Sequence, residues 1–160
     1  MGRVTRVAIA IGSNLGDRHA AIAFAAERLS SFIDSPALST PIETEPEGVG
    51  GETQPLYLNA VLTGETALPA RELLDALLTI ERQYGRERPY AGAPRTLDLD
   101  LVLLGDQVVD EPGLHVPHPR FRDRFFVLGP LAEVASDLRD PVTGLSVSEL
   151  LRKLLRDESR

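Results

Sequence analysis

The chain has 160 residues, 42% of them hydrophobic and 26% charged, so one globular domain over residues 1–160 with a proper core is expected. It has no cysteine, which excludes a disulfide framework and any thiolate metal site. A formal charge of −7 argues against coating a nucleic-acid backbone, and no apolar stretch reaches the roughly 20 residues that span a bilayer. The expectation is therefore no nucleic acid, no membrane, a cytoplasmic location and a monomer.

The first predicted element is a strand over residues 4–11, VTRVAIAI, with Val7, Ile9 and Ile11 on one face and small Ala8 and Ala10 on the other. Apolar residues on both faces place it centrally in a sheet. It runs into Gly-Ser-Asn without a small-residue cleavage site, unlike a signal peptide. Asp17 is a candidate N-cap for a helix reaching Ile33, with Ile22, Ala25, Ala26 and Leu29 at helical spacing. A strand is expected over 36–44, then a loop over 45–55, EPEGVGGETQP, whose Gly and Pro content marks it as mobile or functional. LYLNAVLTGET reads as a strand. Pro69 opens a helix that Gly85 is expected to cap.

A second mobile loop, 85–94, leads to the strand in PRTLDLDLVLLG. Gly105-Asp106 should turn that strand into a short partner around Val108 and Val109. Helical segments are expected near 120–135 and 147–157, the last with a capping box of Ser146 and Glu149. The order β, α, β, β, α, β predicts an α+β fold: a ferredoxin-like split βαβ core with a mainly antiparallel sheet covered by helices. That plan by itself implies no activity.

Asp98 and Asp100 interrupt an apolar strand. Alternation puts them on one face with Thr96, and Leu97, Leu99, Leu101 and Leu103 on the other, which is the core face. Two ionised carboxylates so placed repel, and hard divalent cations such as Mg²⁺ neutralise such pairs. The plainer reading is a solvated acidic face paired with Arg. Arg82, Arg86, Arg88 and Arg95 cluster around the preceding loop, and Arg120, Arg122 and Arg124 form a second cluster. Guanidinium groups beside an acidic metal pair suit a triphosphate. Glu81 ends a helical stripe of Leu74, Leu77 and Leu78, either as a site residue or by snorkelling.

His118 sits between two prolines, which suits a positioned donor to phosphate. His115 reads as a surface residue. Tyr57 and Asn59 share a strand face, so an aromatic and an amide could meet a flat heterocycle, or Tyr57 could simply pack. GSNLGD has too few glycines and no Lys for a phosphate loop of the Walker type.

Four blocks, AIAIGSNLGD, YLNAV, IERQYGRER with PRTLDLDLVLLG, and VPHPRFRDRFFVLGPLAEVA, stand in the order and spacing of one family. The chain resembles 6-hydroxymethyl-7,8-dihydropterin pyrophosphokinases of folate biosynthesis. The resemblance implies a transferase that moves diphosphate from ATP to the pterin's hydroxymethyl group, releasing AMP. It implies Asp98 and Asp100 as ligands of two Mg²⁺ ions, and Arg86 and Arg95 on the ATP phosphates, with Arg88 near them. Glu81, His118 and Arg124 fall on the nucleotide side. Tyr57 and Phe126 would wall the pterin, Asn59 and backbone groups near Thr44 would read its edge, and Asn14 would lie at the floor. The 45–55 and 85–94 loops would be lids.

One departure stands out. The family's Arg-Trp-Gly-Pro-Arg run is here YAGAPR, in a chain with no Trp. A looser second lid is expected, with Tyr90 offset from the missing ring. Two rival readings use the same residues: a two-metal phosphodiesterase or nuclease, and a non-catalytic nucleotide sensor.

Overall fold

The strand with two apolar faces is the middle of the sheet. In a computed structural model of the protein, which describes residues 3–45, 56–86 and 97–159, β1 (Thr5–Ser13) lies between β4 (Tyr57–Thr66) and β5 (Asp98–Leu104), antiparallel to both. β2 (Asp34–Leu38) and β3 (Ile42–Thr44) pair in turn with β4. Helices α1 (Arg18–Leu29) and α2 (Ala70–Arg86) follow β1 and β4. The path β2–β4–β1–β5 is the split βαβ arrangement expected from the order of elements.

Several boundaries differ from the sequence reading, each for a local reason. The strand expected over 36–44 is broken at Ser39-Thr40-Pro41. Pro41 has no N–H for the ladder, and the Ser39 hydroxyl accepts the Val61 N–H at 2.8 Å in place of a backbone carbonyl. Helix α1 stops at Leu29 rather than Ile33, where the Ser30 and Ser31 hydroxyls donate to the carbonyls of Glu27 and Arg28. Gly85 does not cap α2, which runs through it to Arg86. The expected caps at Asp17 and at Ser146 with Glu149 are present.

Val109 does not pair with β5. It opens β6 (Val109–Glu111), which pairs with β7 (Leu114–Val116). The outer edge of β5 is already used: the Glu81 carboxylate accepts the Leu99 N–H, and the His118 N–H donates to the Val102 carbonyl.

Two cores sandwich the sheet. On one face α1 and α2 cover Ile9, Ile11, Leu99 and Leu101 with Leu29, Leu73 and Leu77. On the other, α3 (Phe125–Ala135), α4 (Val147–Glu158) and a 3-10 turn at Phe121–Asp123 cover Ala8, Val61 and Val102. Leu103 joins this second core, not the Leu face expected for it. Ala8 pairs with Leu103 and Ile9 with Leu101, so Val102 is an extra residue that reverses the alternation. The buried stripe of α2 is Leu73, Leu77, Ile80 and Tyr84, with Leu78 exposed, so Glu81 lies at the stripe's margin and not at its end. Among the described residues no helix is long and apolar enough to cross a membrane.

Candidate active site

The small residues of β1 leave room on the α3 face of the sheet. Beyond the part of that face covered by α3, Ala10 and Gly12 lie in the floor of a cavity of about 480 Å³. Its walls include Asn14, Thr44, Tyr57, Asn59, Glu81, Asp98, Asp100, Arg124 and Phe126. The sheet register explains the grouping. Gly12 pairs with Asn59 on one side and Asp98 on the other, and Ala10 with Val61 and Asp100. One row therefore runs amide, glycine, carboxylate. A Cβ at Gly12 would lie 3.4 Å from Asn59 Oδ1 and 3.6 Å from the Tyr57 ring, in ordinary contact with both, so Gly12 leaves open the space between them.

Tyr57 and Thr44 form the last pair of the β3–β4 ladder. The Asn59 amide nitrogen donates to the Thr44 hydroxyl at 2.6 Å, which fixes the amide's orientation. Thr44 thus acts through its side chain, beyond the backbone role expected of it. The Tyr57 hydroxyl is directed at Asp98. Partial burial, then the Asp98 charge, raises the proton affinity of the phenol.

The acidic residues are held under electrostatic tension. Asp98 opens to the cavity, but the surrounding walls remove part of its hydration. That desolvation, then repulsion from Asp100, raises its carboxyl above the ordinary value, with the Tyr57 hydroxyl opposing. Glu81 is raised first by burial, against which the Leu99 N–H at 2.7 Å favours the anion; the Asp98 and Asp100 charges raise it further. Glu81 thus fixes the strand edge between the two aspartates. Among the described residues no three His, Asp or Glu side chains form a metal cage. Two adjacent carboxylates open to a cavity, with Asp98 raised in proton affinity, fit a Mg²⁺ ion that takes its remaining oxygens from water and phosphate.

Arg124 precedes α3 and lines the cavity, its guanidinium 5.5 Å from the centre of the half-buried Phe126 ring. His118 does not line the cavity. It follows the cis Val116–Pro117 bond at the outer edge of β5, and its Nδ1 accepts the Arg120 N–H at 3.1 Å, which leaves Nε2 as the donor nitrogen.

Of the two Arg clusters, the described members Arg82 and Arg122 are engaged away from the cavity. Arg122 makes two hydrogen bonds to the buried Asp140 and covers the Phe121 ring, a structural role. Arg82 donates to Thr79 on its own helix. The side chain of Arg86, and Arg88, Arg95, Thr96 and Tyr90 entirely, lie outside the described residues, as do the 46–55 and 87–94 parts of the expected lids. His115 pairs with Asp110 at 2.8 Å on the β6–β7 hairpin, the surface role read for it. The sequence reading missed Gly12, whose signal was its place two residues after Ala10 on the small-residue face.

Comparison with known proteins shows the family of the chain. A family model described as 7,8-dihydro-6-hydroxymethylpterin-pyrophosphokinase matches residues 8–136. A 2-amino-4-hydroxy-6-hydroxymethyldihydropteridine pyrophosphokinase of Pseudomonas aeruginosa is 39% identical over 148 residues, covering 92% of this chain and 91% of that protein. The folic acid synthesis protein fol1 of Pneumocystis carinii is 38% identical over 149 residues, but this chain spans only 20% of its length. The fold is shared with Plasmodium falciparum HPPK-DHPS, with a TM-score of 0.76 over 98% of this chain and 46% of that one, at 11% identity. By its matched residues and its identity to full-length relatives, the chain belongs to the 7,8-dihydro-6-hydroxymethylpterin-pyrophosphokinase family.

Proposed function

We propose that this chain transfers diphosphate from ATP to the hydroxymethyl oxygen of 6-hydroxymethyl-7,8-dihydropterin, giving AMP and the pterin diphosphate for folate biosynthesis. It does so as a monomeric, cytoplasmic, single pyrophosphokinase domain. One observation carries the reading: a single glycine separates the heterocycle-reading groups from the acidic pair, because Gly12 is flanked by Asn59 and Asp98 in the sheet. A pterin between Tyr57 and Phe126, with its edge on Asn59, would present its hydroxymethyl group toward Asp98.

Asp98 and Asp100 would hold two Mg²⁺ ions, which when bound neutralise and orient the triphosphate. Glu81 keeps the aspartates in register through the Leu99 N–H. Arg124, with Arg86, Arg88 and Arg95 assigned by resemblance and His118 Nε2 on the outer edge, would supply positive charge and hydrogen bonds to the phosphates. The hydroxymethyl oxygen bonds to the β-phosphorus as the bridging bond to the α-phosphate breaks. The hydroxyl proton is lost and AMP leaves. Such transfer needs positioning and charge stabilisation more than covalent catalysis.

The test incubates the protein with ATP, Mg²⁺ and the pterin and follows the nucleotides and pterins by chromatography. AMP and pterin diphosphate formed in equal amounts support the assignment. ADP, or AMP without a pterin product, contradicts it.

A further inference from the structure

We propose that Arg18 is a positioning residue for the pterin half of this site, an inference that rests on the function proposed above. Arg18 is the first residue of α1 and does not line the cavity. Its guanidinium joins two separate strands: Nη1 donates to the Leu56 carbonyl at 2.9 Å, and Nη2 lies 2.9 Å from Glu43 Oε2. Leu56 immediately precedes Tyr57, and Glu43 immediately precedes Thr44. Thr44 and Tyr57 are the terminal pair of the β3–β4 ladder, and Thr44 in turn holds the Asn59 amide. Arg18 therefore closes the end of the ladder from which the three pterin-facing side chains project.

β3 needs such a tie. It has three residues and, among the described residues, pairs with β4 alone, so few ladder hydrogen bonds hold it there. Its start is secured from the other face of the sheet, where Glu133 of α3 accepts the Thr40 N–H at 3.0 Å and the Thr40 hydroxyl at 3.1 Å. Alternation turns Glu43 away from the Thr44 face, toward the side of α1. The strand is thus pinned by α3 at its start and by α1 at its end. A planar guanidinium can engage two acceptors on different strands at once, which a single ammonium does less well.

The test uses Arg18→Ala, Arg18→Lys and Glu43→Gln in the full chain, with thermal unfolding to verify folding. Peptide-level hydrogen exchange over residues 42–45 reads the strand without ligand. Pterin affinity is measured with Mg²⁺ and the non-transferring analogue α,β-methylene-ATP, and the affinity of the analogue is measured alone. In Arg18→Ala, exchange in β3 should accelerate and pterin affinity should fall about tenfold, the cost of ordering the strand at binding. Analogue affinity should stay within about twofold, with Arg18→Lys and Glu43→Gln intermediate for pterin. Wild-type exchange and pterin affinity in Arg18→Ala, beside a wild-type protein that binds pterin, would overturn the role of Arg18 alone. Equal weakening of pterin and analogue would also overturn it. A wild-type protein that binds no pterin would overturn the proposed function and the role of Arg18 with it.

Discussion

Replacing Asp98 by Asn should make the ligand-free protein more stable while removing its activity. Asp98 and Asp100 stand two residues apart on β5, roughly 6–7 Å along the strand at about 3.3 Å per residue. Unit charges at that separation repel by about 0.6 kcal/mol in water and about 2.5 kcal/mol at an effective dielectric constant near 20. Both side chains open to solvent, so screening favours the lower part of this range, about 1 kcal/mol. In a chain of this size that is a rise in Tm of about 2–4 °C.

The pH dependence has a definite sign. The Asp98 carboxyl is raised in the folded state, so the folded protein holds this proton more tightly than the unfolded chain does. Its contribution is favourable below the unfolded value of about 3.9 and is lost as pH rises through the folded value. The advantage of Asn should therefore be present at pH 7 and vanish below about pH 4. Differential scanning calorimetry without divalent ions, at both pH values, measures it. Adding Mg²⁺ and ATP should reverse the order, because only the wild type gains stability by binding. A metal-free Asn variant less stable than wild type at pH 7, or equally advantaged at low pH, would refute the electrostatic reasoning.

Three further outcomes are expected. Arg122→Ala should cost about 2–3 kcal/mol in urea unfolding, since Asp140 stays buried with, among the described residues, the Thr143 hydroxyl and Val142 N–H as its remaining partners. Activity per folded molecule should persist; its loss would return this Arg to the phosphate site. Burial opposes ionisation of Asp140, but the hydrogen bonds from Arg122 and Thr143 prevail and lower its carboxyl. That contribution is present above the unfolded value of about 3.9 and is lost as pH falls through the folded one, so the Arg122→Ala deficit should shrink in acid. Gly64→Ala should destabilise by about 1–3 kcal/mol, because the new Cβ would sit 2.6 Å from the Asp34 carbonyl oxygen and β2 must shift; an unchanged urea midpoint would contradict this. Tyr57→Ala should raise the KM for pterin well above its effect on the KM for ATP, and steady-state kinetics with each substrate varied would show an equal rise in both if the ring served only the fold.

The sheet and most of the site were legible because strand alternation and capping are local. The two-faced apolar strand, the Asp17 and Ser146 caps, and the placing of Asp98 and Asp100 on one face needed only neighbours in sequence. What was hidden depends on contacts between distant segments. The bulge at Val102 arises from the register against β1, so the move of Leu103 into the second core could not be read from the Leu repeat. The pairing of Arg122 with Asp140 spans 18 residues, and from sequence alone Arg122 was indistinguishable from Arg124. Glu81 was ambiguous for the same reason: its meaning lies in the Leu99 N–H, on a strand that follows much later.

The central claim is that the Asp98–Asp100 pair drives the transfer while the aromatic and amide groups across Gly12 hold the acceptor. Single-turnover rates for wild type, Asp98→Ala and Asp100→Ala, taken with the pterin affinity of each protein, test it most directly. The account predicts a fall of about a thousandfold or more in the rate of pterin diphosphate formation in both variants, with pterin affinity largely retained. A rate within tenfold of wild type in either variant, or pterin binding lost in step with the rate, would contradict it.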